Sequence, residues 1–197
     1  MANPLPASAL APLFTDARTH RAWTDKPVSA DVLRAVYDLT KWGPTSANCC
    51  PLRLVFVQSA AQKAKLVELV SRGNRASVEA APVTALLAMD LEFYEHFDLL
   101  APGSGAKSWF DPADERGVSD TALRNSSLQG GYFILAARAL GLDCGPMGGF
   151  DAAAINAAFF AGTTYKISFI CALGYADPSK VRPRAARFDF DQVATII

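Results

Sequence analysis

An α+β fold is predicted for this chain of 197 residues, on three observations. Helical and strand patterns do not alternate strictly, as a doubly wound parallel sheet would require. Two segments, 83–89 and 165–174, are nearly all apolar and read as strands covered on both faces. The longest helical pattern, Ser119 to Leu140, far exceeds any strand. A chain of this length suits one domain, residues 1–197, and no linker or internal repeat divides it.

Each element has a local reason. Ser29 can cap a helix running to Trp42, Asp31 suits its first turn, and Val32, Leu33, Val36, Tyr37 and Leu39 recur at helical spacing. Gly43-Pro44 ends it. RLVFVQ at 53–58 is a short strand of β-branched and aromatic residues. Ser59-Ala60-Ala61-Gln62 fits a capping box for a helix through Ser71, with Leu66, Leu69 and Val70 inward. VTALLAM at 83–89 is the first buried strand. Residues 90–118 read as a long irregular excursion, of the sort that is usually functional or mobile. GSGAKS within it lacks the contiguous Gly-Lys-Ser/Thr of a phosphate loop and is rejected as one. Gly141 should close the long helix in a left-handed cap. Gly130-Gly131 inside that helix suggests close approach of another backbone or a flat ligand. Asp151 caps a helix to Phe160, and YKISFICALG at 165–174 is the second buried strand.

Composition excludes several functions. Hydrophobic residues are 51% and charged residues 19%, so the chain is globular. A formal net charge of zero removes the electrostatic case for a nucleic acid or membrane partner. No apolar run approaches the roughly 20 residues that span a bilayer. No basic segment precedes the apolar N-terminus, so no export signal is expected and a cytoplasmic location is the default. Cys49, Cys50, Cys144 and Cys171 form no C-x-x-C pair, so neither a metal site nor a disulfide framework is expected. They read as small buried hydrophobes.

Four segments carry the chemistry-bearing residues. Arg18-Thr19-His20-Arg21 offers two guanidiniums and a hydroxyl, a phosphate-binding set. KWGPTSANCCPLR at 41–53 crowds Thr45, Ser46 and Asn48 between breakers. Gly73-Asn74-Arg75-Ala76-Ser77 reads as a polar turn. Cys144-Gly145-Pro146-Met147-Gly148-Gly149-Phe150-Asp151 is a glycine-dense loop before a helix, with backbone N–H groups able to face a ligand.

Together, and in this order, these segments resemble the nitroreductase family of flavoproteins over essentially the whole chain. The resemblance implies a mostly antiparallel central sheet flanked by helices and an intertwined homodimer with two FMN sites at its interface. Arg18, Thr19, His20 and Arg21 match the family's N-terminal phosphate grip. Pro44, Thr45, Ser46 and Asn48 match its Pro-Ser-Ser-x-Asn loop, and Asn74 its pyrimidine-contacting asparagine. Pro146, Met147, Gly148 and Gly149 match the segment beneath the isoalloxazine, and Arg184 and Arg187 the C-terminal phosphate ligands. The loop of one subunit would lie against FMN held chiefly by the other. Apolar tail residues such as Phe188, Phe190 and Ile196 would embrace the partner or pack on their own domain. Two positions depart from the family pattern: Ala17 replaces the first arginine of the grip, and Ser77 a lysine near the flavin.

Arg-Thr-His, Lys-Trp-Gly-Pro-Thr-Ser-Ala-Asn and Gly-Pro-Met-x-Gly-Phe-Asp are similar to the malonic semialdehyde reductase (3-hydroxypropionate dehydrogenase) branch of pyrimidine degradation. That resemblance implies reduction of this small substrate with NADH or NADPH by ping-pong hydride transfer through flavin N5. Arg53, Arg75 or Lys107 would meet the substrate carboxylate, and no residue stands out as the proton donor. A broad nitroaromatic or quinone reductase, a flavin enzyme of different outcome and a non-catalytic flavin-binding protein remain alternatives.

Overall fold

The computed structural model describes residues 3–197. Its first half runs through α1 (Ala7–Leu13), α2 (Ala30–Thr40), β1 (Leu52–Val57), α3 (Ala60–Leu69), α4 (Arg72–Ala80) and β2 (Val83–Asp90). The second half adds α5 (Phe97–Leu100), α6 (Glu115–Ala139), β3 (Asp143–Met147), α7 (Ala152–Phe159), β4 (Tyr165–Gly174) and α8 (Phe190–Val193). The strands form one sheet in the order β1-β2-β4-β3, and every pairing is antiparallel. The α+β architecture is therefore as the sequence predicts.

The two nearly all-apolar strands, β2 and β4, lie at the centre because only there are both faces covered. Ala85, Leu87, Cys171 and Leu173 face Val36 of α2 and Phe133 and Ala137 of α6. Leu86, Ala88, Ile170 and Ala172 face Leu66 of α3, Val78 of α4 and Ile155 of α7. The period-two alternation of strand side chains thus builds two cores on one sheet. Each fully buried Leu or Ile contributes about 1.5–3 kcal/mol relative to exposure.

Several boundaries differ from the sequence reading. Gly73–Ser77, expected as a turn, lies inside α4, where burial of Ser77 and Val78 outweighs the poor helix propensity of Gly73 and Asn74. Cys144–Met147, expected as loop, belongs to β3, and Pro146 is tolerated because β3 is an edge strand. The helix expected from Ser119 begins at Glu115, since the Asp114 side chain accepts from the Gly117 amide at 3.0 Å. It ends as expected before Gly141, at φ 78°. Residues 90–118 are not simply irregular. Phe93, Tyr94 and Phe97 pack with Phe110, Cys49 and Ala122 into a third small core, and the Phe93 and Phe110 rings meet edge-on at 4.9 Å. Gly130 admits the Phe169 ring, whose edge would lie 2.7 Å from an added Cβ, rather than a backbone or ligand.

One close approach positions the rest. The Thr19 backbone bridges Cys144 in parallel, and the His20 amide donates to the Cys144 carbonyl at 3.0 Å. Arg18–Arg21 therefore lies against the outer edge of β3. A Cβ at Gly145 would sit 2.4 Å from the His20 carbonyl oxygen, so no side chain fits between the two segments. Gly145→Ala should destabilise the protein by about 1–3 kcal/mol through overpacking and open residues 15–23 to proteolysis. Denaturant unfolding and limited proteolysis measure both effects, and an unchanged cleavage pattern would contradict them.

Candidate functional site

The residues singled out in the sequence gather in two places. At the β3 edge, Arg18–Arg21, Asn74 and Met147–Gly149 come together. The Asn74 side-chain amide donates to the Gly149 carbonyl at 2.9 Å, and the Ser71 amide reaches the same oxygen at 3.0 Å. A Cβ at Gly149 would lie 2.8 Å from Asn74 Nδ2, so a side chain there would displace the Asn74 amide. Gly148 faces open space, and the amides of Gly148 and Gly149 meet no acceptor among the described residues. His20 Nε2 lies 3.3 Å from Asp143 Oδ1, which orients its ring along the strand end. Arg184 brings the basic tail to this edge, donating to the Thr15 carbonyl at 2.5 Å and the Ala17 carbonyl at 3.0 Å. Arg18 donates to the Arg182 carbonyl, while Arg187, among the described residues, donates to the Ala185 and Ala186 carbonyls of its own tail. Arg21 is exposed and has no side-chain partner among the described residues.

The second gathering is the loop between α2 and β1. Ala47, Asn48 and Cys50 have φ of 48°, 56° and 39°. They are the only non-glycine residues at positive φ among the described residues, each an unfavourable backbone state. Buried side chains hold the loop there. Asn125 Oδ1 accepts from the Ser46 amide at 2.8 Å, and Gln129 Oε1 from the Leu52 amide at 2.9 Å. The Thr45 hydroxyl accepts from the Cys50 amide at 3.1 Å, and Asn48 donates to the Leu100 carbonyl at 2.7 Å. Pro44, Asn48 and Cys50 line a cleft of about 560 Å³ whose far wall carries His96, Leu99 and Leu100.

Below that cleft lies a buried polar network. The Asp90 carboxylate accepts from the Thr164 hydroxyl at 2.6 Å, the Glu92 amide at 3.0 Å and Arg53 at 2.6 Å, with His96 Nε2 at 3.4 Å. Burial pushes this carboxyl up, but the Thr164 and Glu92 donors and the Arg53 charge outweigh it and hold it below the usual aspartate range. Burial also pushes the Cys49 thiol up to about 11, so it is a packing group rather than a nucleophile.

Comparison with known proteins agrees with this geometry. The nitroreductase family model matches residues 15–175. The chain belongs to the nitroreductase family. A relative in Leptothrix cholodnii is 51% identical over the full length of both chains, and one in Burkholderia lata is 56% identical over 96% of each. Both carry the provisional name NADH dehydrogenase/NAD(P)H nitroreductase. A provisionally assigned nitroreductase of Exiguobacterium sibiricum, solved in complex with FMN, shares the fold at a TM-score of 0.81 and 19% identity over all of both chains.

In this chain the three cations expected to meet a substrate carboxylate already have acidic partners. Arg53 pairs with Asp90, Arg75 with Glu68 at 3.3 Å, and Lys107 with Glu95 at 2.6 Å. The two departures from the family pattern are informative. Where Ala17 lacks the arginine, the guanidinium of Arg184 is bonded to the Ala17 carbonyl. Ser77 is buried, and its hydroxyl has no partner among the described residues.

The strained loop and the Asp90 network escaped the sequence reading. Asn125 and Gln129, two polar residues four apart on the inner face of a helix, were the available signal. Asp90 at the end of an apolar strand was another, since a buried carboxylate requires donors.

The depressed Asp90 carboxyl links stability to pH. Its folded-state value lies below the unfolded one, so its contribution is complete above about pH 4 and is lost as pH falls through the folded value. Asp90→Asn, which leaves Arg53 without its anion, should cost about 3 kcal/mol at neutral pH. In urea unfolding the gap to the wild type should narrow toward pH 3. A gap independent of pH would contradict this assignment.

Proposed function

We propose that this chain is an FMN-dependent NAD(P)H oxidoreductase that acts as a homodimer and reduces a small carbonyl acceptor, malonic semialdehyde, to 3-hydroxypropanoate. One observation carries the cofactor part of the reading. The two groups of ligand-facing residues lie at opposite edges of the sheet, one beside β3 and the other beside β1. A flavin touching both is held by two copies of the chain, each lending its 44–50 loop to the other's β3 edge. The residues fit such a group: among the described residues the Gly148 and Gly149 amides meet no acceptor, the Gly148 position is open, and Arg21 is exposed beside Thr19.

Apolar surface supports the dimer. Tyr37, Leu39 and Trp42 at the α2 end, and Leu128 and Tyr132 on α6, are exposed. Phe188, Phe190, Val193 and Ile196 of the tail are exposed as well. A groove of about 750 Å³ runs along the open edge of β1 between Leu33, Leu54 and Phe56, and suits an apolar tail from a second copy.

FMN, when bound, supplies hydride chemistry between NAD(P)H and the acceptor. The chain supplies position and charge. Thr19, Arg21 and Arg184 would meet the phosphate, with Arg18 and Arg187 adjoining. The amides of Gly148 and Gly149 would donate to the ring of such a group and favour negative charge there. Asn74 and His20 hold the strand edge in register. Thr45, Ser46 and Asn48 contribute polar contacts from the partner's loop. Trp42, Leu99 and Leu100 line the cleft, and a second copy covering them would limit water there.

The substrate rests on the sequence resemblance, whereas the names of the relatives favour nitroaromatic reduction as the second reading. The purified protein should be yellow, bleach with NADH or NADPH without oxygen, and turn over malonic semialdehyde faster than a nitroaromatic or a quinone. Equal or higher turnover of the nitroaromatic would transfer the assignment to the second reading, and flavin that neither nicotinamide reduces would end both. Arg184→Ala should weaken FMN binding by about 10–100-fold, the equivalent of one charge-assisted contact, in a fluorescence titration.

A further inference from the structure

We propose that His96 is the proton donor to the carbonyl acceptor, with Asp90 and Arg53 as its positioning residues; this rests on the redox reading above. His96 ends a 3₁₀ turn over Phe93–His96 and lines the same cleft as Asn48 and Cys50. Its side chain is 48% exposed, whereas that of Asp90 behind it is 3% exposed. The carboxylate already has three donors within 3.0 Å, from Thr164, Glu92 and Arg53. It is satisfied without the imidazole, at 3.4 Å, so the contact serves the ring rather than the carboxylate. Pairing with Asp90 places a proton on Nε2 and leaves Nδ1, which has no partner among the described residues, to serve the cleft.

The other charged groups facing this ring are few. Arg53 from β1 and Lys41 after α2 line the cleft, while Glu92 and Glu95 share its turn. Lys41 is paired with Asp38, and Glu95 with Lys107. Arg53 is committed to Asp90 and to the carbonyls of Cys50 and Leu52, so it cannot swing into the cleft without breaking that network. Tyr37 and Cys50 also line the cleft, but the imidazole is the group anchored to a buried carboxylate through one ring nitrogen with the other left facing outward, the arrangement a general acid needs.

The step balances simply. A hydride equivalent, which NAD(P)H would supply once the cofactor is bound, adds to the carbonyl carbon and the C=O π pair moves onto oxygen. That oxygen takes the Nδ1 proton of the imidazolium, which becomes neutral imidazole and is reprotonated from water. The product is the alcohol.

His96→Gln, which keeps a donor toward Asp90, provides the test in the FMN-loaded protein. Ferricyanide accepts electrons without a proton, so the ratio of carbonyl turnover to ferricyanide turnover reads the donor alone. The ratio should fall by about 10²–10⁴-fold, and the decline of wild-type kcat at alkaline pH should vanish. In the oxidised wild type, the His96 imidazole nitrogen signals should shift in NMR when 3-hydroxypropanoate is added. An unchanged ratio, or signals indifferent to this probe, would overturn the assignment of His96 alone. A wild type that NAD(P)H fails to bleach would instead overturn the redox reading, and this proposal with it.

Discussion

Three interstrand spacings, about 14 Å, separate β1 from β3 across the sheet, and the organisation of the site follows from that separation. Antiparallel pairing in the order β1-β2-β4-β3 puts the two apolar strands inside and leaves the polar, glycine-bearing segments on the two outer edges. Neither edge alone offers both the cations of Arg18–Arg21 and the strained polar loop. The sheet is therefore a spacer, and its hydrophobic cores, one on each face, make the spacing rigid.

Each edge achieves its form by a different physical means. At β3, missing side chains let backbone approach backbone: Gly145 admits the His20 carbonyl, and Gly149 admits Asn74. At the loop before β1, buried amides on α6 impose conformations that the local residues disfavour. Three non-glycine residues at positive φ cost about 1–2 kcal/mol each. Asn125, Gln129 and the burial of Cys49 offset that cost. A loop held at such expense presents its polar groups without further reorganisation, which suits a binding surface.

Periodicity and breakers made most of the fold legible in the sequence. The apolar runs at 83–89 and 165–174, the Ser29 cap and Gly141 all behave as local chemistry requires. What was misread depended on partners distant in sequence. Gly73–Ser77 is helical because Val78 and Ser77 are buried by tertiary packing, and Cys144–Met147 is a strand because β4 and the Thr19 segment flank it. Arg18–Arg21, Asn74 and Gly148–Gly149 lie along one edge because the Thr19 segment bridges Cys144 and the Asn74 amide holds the Gly149 carbonyl. The Asp90 network was not legible, because a carboxylate and an imidazole six residues apart have meaning only once Arg53 arrives from β1 and Thr164 from the turn before β4.

A site assembled from the β3 edge of one chain and the loop of another is directly testable by complementation. Ser46→Trp would obstruct the loop, and Gly148→Trp, in open space, would obstruct the strand edge. Each variant alone should be folded but inactive. Random mixing of their subunits leaves half the dimers with one intact site of two, so about a quarter of wild-type activity should return. A mixture no more active than its inactive components would mean that each chain builds its site alone, contradicting a flavin shared between two copies.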